Sequence, residues 1–297
     1  MLDLDTFLTT VYCLVDDVYQ AEIRPCLPRR TGPPARLSDS EVLTVGLLAQ
    51  WNIFPSQRAF WRWAQTHLRP YFPGLPSLSR FNRLLRARWD ILGVLFRTLA
   101  HALAEPSFYR VVDATPVPVC KVSRWRSSPF RGDAALSWCA TKQEWYFGYK
   151  LFVAVTPEGV ITSAALLPAN VGDRPGAESI FVQEQYPAYL ADKGFCSAEW
   201  EQQWRESYGV EVVAAPFRRH KRAWPETVYR RMAGLRQIVE QVYGHLKTQF
   251  GLERVRARTF TGLWAALAAQ LAAFTVAQTI NARLHQPLFT CAALCAW

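Results

Sequence analysis

The sequence predicts an α/β protein: a mixed β-sheet flanked by helices, preceded by an all-helical N-terminal region. Three observations carry this. Apolar residues recur at helical spacing up to about residue 104. At Pro106 the pattern changes to short β-rich runs, which then alternate with helical segments. The last of these segments, Leu235–Lys247, is strongly amphipathic and lies within the most basic part of the chain. With 297 residues, half of them hydrophobic, the chain can bury a substantial core. Three regions are expected: residues 1–104, residues 105–260 carrying the sheet, and residues 261–297 as a C-terminal helix packing on it.

In the first region, Leu4, Phe7, Val11, Leu14, Val15 and Val18 form the apolar face of a helix over residues 3–19. A Pro-rich loop follows, and Ser38-Asp39-Ser40-Glu41 has the spacing of a capping box that opens a second helix through about Gln50. A third helix covers Ser56–His67. After the break at Leu68–Gly74, Ser77 or Ser79 caps a long helix to about Ala104. Arg80, Arg83 and Arg86 share one face at its front, above core residues Phe81, Leu84 and Leu85. Helix, break and basic helix start form a helix-turn-helix-like segment whose second member would enter a DNA groove.

Phe108–Val112 reads as a short strand ending at Asp113, because Pro116 cannot continue a central strand. Residues 117–144 are a long irregular insertion. Tyr146–Thr156 and Val160–Leu167 form a hairpin, followed by a helix near Gly176–Gln185 and a short strand, Tyr189–Ala191, that runs into Asp192. A helix over Ser197–Ser207, a strand over Val210–Ala215, and the amphipathic helix complete the region. Three strands, helix, strand, helix, strand, helix is the element order of a ribonuclease H-like fold. That order brings the ends of the first and fourth strands together under the late helix. Asp113, Asp192 and Glu240 would meet there. Three such carboxylates could hold two Mg²⁺ ions about 4 Å apart for in-line phosphoryl transfer. Mg²⁺ favours hard oxygen ligands, which suits carboxylates and phosphates.

On the amphipathic helix, Arg236, Glu240, Tyr243 and Lys247 stack on one face, so one carboxylate would lie between two cations. The net charge of +10 points to a polyanion, nucleic acid before membrane. Residues 216–260 hold eleven Lys/Arg against three Glu, including Arg218, Arg219, Lys221 and Arg222 in a loop before the helix. The seven cysteines form no Cys-x-x-Cys pair and no zinc spacing, consistent with reduced thiols. No histidine pairs with a Ser or Cys in a nucleophile pattern, which argues against covalent catalysis. The N-terminus has acidic residues and no basic signal-peptide region. Gly262–Ile280 is interrupted by Gln270, Thr275 and Gln278, and reads as too polar for a membrane span. Asp173 reads as a turn residue or helix cap, and Asp133 lies in the insertion.

Asp113-Ala114-Thr115-Pro116-Val117-Pro118-Val119-Cys120, Gly148-Tyr149-Lys150-Leu151, Ala191-Asp192-Lys193-Gly194-Phe195 and Arg236-x₃-Glu240-x₆-Lys247 resemble the blocks of DDE transposases of bacterial insertion sequences. The nearest branch is the insertion-sequence 982 family, whose front end resembles Leu37–Val42. The resemblance covers roughly residues 37–285. It departs at Ala233 and Phe195, where related proteins place Tyr. It implies Asp113, Asp192 and Glu240 as a metal-binding catalytic triad using Mg²⁺, with Mn²⁺ able to substitute, and Arg236 and Lys247 as phosphate contacts. It also implies double-stranded DNA partners (terminal inverted repeats and target), a homodimer in the active complex, and a cytoplasmic, nucleoid-associated location. The activity implied is cleavage at element ends and joining of the 3′-hydroxyls to target DNA. The alternatives are a non-catalytic DNA-binding regulator, against which the three filled acidic positions argue, and a nuclease without strand transfer.

Overall fold

The change of pattern near Pro106 is also where the computed structural model changes class. It describes residues 2–28, 32, 35–216, 224–254, 256–291, 294 and 295. Among these, the helices α1 (Leu4–Val18), α2 (Asp39–Leu48), α3 (Gln57–His67), α4 (Leu78–Arg86) and α5 (Trp89–Leu103) come first. They are followed by β1 (Arg110–Cys120), β2 (Ala135–Cys139), β3 (Glu144–Val155), β4 (Ile161–Pro168), α6 (Asp173–Phe181), β5 (Ala188–Ala191), α7 (Ala198–Tyr208), β6 (Glu211–Ala214), α8 (Glu226–Thr248) and α9 (Phe260–Arg283). The chain divides into two compact units, residues 1–102 with 245–297, and residues 103–244.

The first unit is helical, and α1, α2, α3 and α9 start where side chains accept free backbone N–H groups, whereas Ser77, expected to cap α4, makes no such bond. Ser38 Oγ accepts from Glu41 N while the Glu41 carboxylate accepts from Ser38 N, so the capping box forms as the sequence predicts. Asp3, Ser56 and Thr259 cap α1, α3 and α9 in the same way. Phe7, Trp51, Phe250 and Phe274 form a chain of ring contacts 5.3–5.7 Å apart that joins α1 to α9 through the interior.

Two expectations for this unit need correction. The helix expected over residues 77–104 is broken at Ala87–Arg88 into α4 and α5. Arg88 turns inward, where its Nε donates to Asp39 Oδ1 at 2.7 Å and its Nη1 to the Leu84 carbonyl at 2.7 Å. A buried guanidinium needs partners, and the break supplies one of them. The C-terminal helix groups with α1, α2 and α4, not with the sheet. By length and composition α9 is apolar enough to cross a membrane, contrary to the reading of its polar residues. Most of it is buried, and two of those residues donate to backbone carbonyls: Gln270 to that of Phe250 and Thr275 to that of Leu271.

The second unit is built on a mixed sheet. β3 is its longest strand. β1 pairs antiparallel along one edge of β3, while β2 and β4 follow each other along the other edge. β5 joins β1 in parallel, and β6 joins β5 in parallel. β1 does not stop at Asp113 as expected. It runs through Pro116, which sits opposite Lys150. The reason is that β5 pairs with β1 only at Arg110 and Val111, so the rest of that edge is open and a missing N–H costs nothing there.

Val112, Phe152 and Ala154 pack with Ala177, Ile180 and Phe181 of α6 and Trp204 of α7 to form the core of one face. Gly148 is required where β1 crosses close to β3, since a Cβ there would lie 2.2 Å from the Val117 carbonyl oxygen. Backbone within a sheet cannot easily retreat. Gly148→Ala is therefore expected to destabilise the protein by about 1–3 kcal/mol, read as a lower melting midpoint.

Candidate active site

Asp113 and Asp192 are brought together by register. In the parallel pair, Val111 lies opposite Leu190, and continuing by two residues sets Asp113 level with Asp192. Pairing stops first, because the chain turns away after Ala191. The two strands therefore part, and the carboxylates flank the crevice at the carboxyl end of β5, where α/β sheets commonly take ligands. By strand alternation Asp113 points away from the α6–α7 core that Val112 faces.

α8 lies on that other side. The Tyr243 hydroxyl donates to the carbonyls of Asp113 at 2.8 Å and Leu151 at 3.2 Å, pinning the helix to β1 and β3. Two turns earlier, Arg236 Nη1 reaches Asp192 Oδ1 at 3.1 Å. Glu240 lies between these anchors on the same stretch of helix. It is exposed and makes no ion pair among the described residues. The expected sandwich of Glu240 between Arg236 and Lys247 therefore does not form. Arg236 chooses Asp192, and Lys247, in the first unit, pairs with Glu253 at 3.4 Å. An i,i+4 pair on an exposed helix face is weak, so it does not hold Arg236 back from Asp192.

Burial pushes the Asp113 carboxyl up to about 6. The Ala114 N–H, which donates to it at 2.8 Å, and Arg236 pull the other way, while the charges of Asp192 and Asp173 add to the rise. Asp173 is thus part of this neighbourhood. It is the first residue of α6, and its side chain caps nothing. Its carboxylate meets Lys150 Nζ at 2.8 Å, and the same nitrogen donates to the Val171 carbonyl at 3.0 Å. Beside it, Arg174 Nη2 donates to the Cys196 carbonyl at 2.8 Å, tying the start of α6 to the turn after Asp192. Sequence reading missed this clamp. The available signal was Lys150 itself, a cation within an otherwise apolar strand that needs a partner.

The structure thus gathers Asp113, Asp192, Arg236 and, unexpectedly, Asp173. It does not draw Glu240 into a ligand set: among the described residues, no three His, Cys, Asp or Glu side chains are arranged to hold a metal ion. The donors nevertheless fit a hard divalent cation. They are carboxylate oxygens, one of them raised by burial and like charge, and the charge on Asp192 is already offset by a guanidinium. Arg80, Arg83 and Arg86 are exposed on one face of α4, with Phe81 buried beneath them against Trp61. Arg218, Arg219, Lys221 and Arg222 lie outside the described residues. All seven cysteines are free thiols.

A family model described as "Transposase DDE domain" matches residues 109–276. No curated protein matches the chain.

Proposed function

The chain belongs to the DDE transposase family, and from that premise we propose that it cleaves DNA at the ends of an insertion sequence and joins the freed 3′-hydroxyls to target DNA. The observation that carries this reading is the crevice where Asp113 and Asp192 stand level, crossed by the helix that bears Arg236 and Glu240. With β2 set aside, the strand order β4-β3-β1-β5-β6 supports a ribonuclease H-like reading of the sheet. The sequence blocks favour the insertion-sequence 982 branch.

Asp113 and Asp192, with Glu240 from α8 as the resemblance to the family implies, would hold the divalent cation, Mg²⁺ or Mn²⁺. The chemistry supplied there, when it is bound, is polarisation of the phosphoryl group and activation of a water or 3′-hydroxyl. The chain's own residues do the rest. Tyr243 holds α8 at a fixed height over the carboxylates. Arg236 neutralises Asp192 while the cation is absent, and its planar fork can pass to a phosphate once it is present. Lys247, one turn beyond Tyr243, serves as a second phosphate contact. The active form on this reading is a homodimer in the cytoplasm, bound to two terminal repeats. The direct test is to incubate the protein with DNA carrying the element's own ends, with Mg²⁺ or with a chelator. Cleavage at the ends followed by joined products supports the reading. Cleavage without joining indicates a nuclease, and binding without cleavage in either Mg²⁺ or Mn²⁺ indicates a regulator.

We assign end binding to the α3–α4 segment, with Arg80, Arg83 and Arg86 on phosphates. Each phosphate contact contributes about 0.9 to the slope of log affinity against log salt. Replacing all three by Ala should therefore weaken binding and reduce that slope by roughly 2–3, measured by titration of labelled end DNA at several salt concentrations. An unchanged slope would move the main contact to the basic residues of the segment 217–231.

A further inference from the structure

Residues 117–144, expected to be irregular, complete β1 to Cys120, form the short helical turn Val122–Ser127 and supply β2. They end in a hairpin formed by β2 and the start of β3, in which Trp138 and Trp145 are direct cross-strand partners. The two indoles meet edge to face, with ring centroids 5.8 Å apart. They are 47% and 58% exposed. In an edge-to-face pair only one ring face is covered by the neighbour, so both side chains keep open π-surface. Leaving two indoles in water forgoes a large hydrophobic gain, and such surface usually marks a contact.

The same face continues inward. Phe147 lies two residues beyond Trp145 and so points to the same side of the hairpin. Trp125, from the short helical turn Val122–Ser127, packs on Phe147 at 6.1 Å. The result is an aromatic row, buried at Phe147 and open at the tip. Cations border it: the Arg126 guanidinium lies 5.5 Å from the Trp125 ring centre, and Arg124, Lys121 and Arg131 are exposed nearby in the chain.

We propose that this hairpin is a stacking platform for unpaired DNA bases, with Trp138 and Trp145 taking base faces and Arg124 and Arg126 taking the backbone. The proposal rests on the DNA-transposing function proposed above. Indoles offered face outward from a hairpin tip suit bases that are out of the duplex, because a duplex covers its base faces in its own stack. Aromatic stacking with cationic support is the general means of holding a single strand. Along β3, Trp145 stands eight residues, roughly 26 Å, from Val153, the partner of Asp113. That distance suits DNA flanking the reacting phosphate.

The test uses the full chain and two labelled probes, a single strand of about 20 nucleotides and the duplex of the same sequence, followed by fluorescence anisotropy. The Trp138→Ala/Trp145→Ala double variant should bind the single strand at least tenfold more weakly, with duplex affinity changed less than twofold and melting unchanged. The corresponding double Phe variant should recover most of the loss, because it restores stacking surface. Unchanged single-strand affinity in a folded Ala variant overturns the platform. So does a Trp variant that loses only self-association in sedimentation, which would assign the hairpin to a second copy of the chain. Wild-type protein that binds duplex but not single strand overturns the platform alone, whereas binding neither probe overturns the proposed function as well.

Discussion

Asp113→Asn is expected to abolish strand cleavage and, at the same time, to raise the melting temperature of the metal-free protein at neutral pH. The two effects have one cause. Asp113 keeps a carboxyl in a partly buried place beside Asp192 and Asp173, and its affinity for a proton rises to about 6 from an ordinary 3.8. Because the folded form binds that proton more tightly than the unfolded chain, the group adds stability below about pH 4. The contribution is lost as pH climbs toward 6, leaving an unfavourable buried charge above it. Asn keeps the shape and removes the charge. Its advantage should therefore be small at pH 4, grow between pH 4 and 6, and reach about 1–3 kcal/mol at pH 7.5. That corresponds to a few degrees in melting.

Divalent cation should reverse the order, since ligand binding stabilises only the parent. Asp192→Asn and Glu240→Gln should abolish cleavage too while leaving end binding largely intact. Asp192→Asn also frees Arg236 from its only ion pair among the described residues, so no stabilisation is expected there. Near-parent cleavage by any of the three in Mg²⁺ would remove that residue from the triad. A melting temperature for Asp113→Asn that equals the parent's at every pH would mean that burial does not set this carboxyl.

The pairing of Asp113 with Asp192 was legible because it depends on local pattern and element order. An apolar run ending in Asp, a second one ending in Asp, and an intervening helix leave few ways to connect parallel strands. Helix starts were legible for the same reason: Ser38 and Glu41 cap a helix through contacts three residues apart. What escaped depends on partners far away in the chain. Pro116 ends a strand only if both edges are paired, and nothing local says that β5 leaves β1 after Val111. Arg236 faces Glu240 one turn away and Asp192 forty-four residues away, and geometry favours the distant carboxylate. Likewise Lys150 finds Asp173, which was read as a cap, across the start of α6. Trp138 and Trp145 belong to a stretch that has no clear period until the hairpin brings them together.

The second large effect is on stability, and it lies at Asp39 and Arg88. Their side chains are 2% and 6% exposed, and Tyr19 also donates to the carboxylate at 2.8 Å. Taking either charge away leaves the other buried without its counter-ion, which costs about 3–5 kcal/mol. Asp39→Ala should therefore lower the melting midpoint by on the order of 10 °C, since each kcal/mol moves a domain of this size by about 2–4 °C. Arg88→Met should cost a similar amount, because it strands Asp39. The decisive measurement is the double variant Asp39→Leu/Arg88→Met. A buried ion pair gains little over well-packed apolar residues, so the double variant should melt well above either single one. If its loss equals the sum of the two single losses, the residues act independently and the ion pair is not what closes the α4–α5 break. Recovery in the double variant, together with normal binding of end DNA at low temperature, would show that Arg88 shapes the fold that presents Arg80, Arg83 and Arg86 without itself touching DNA.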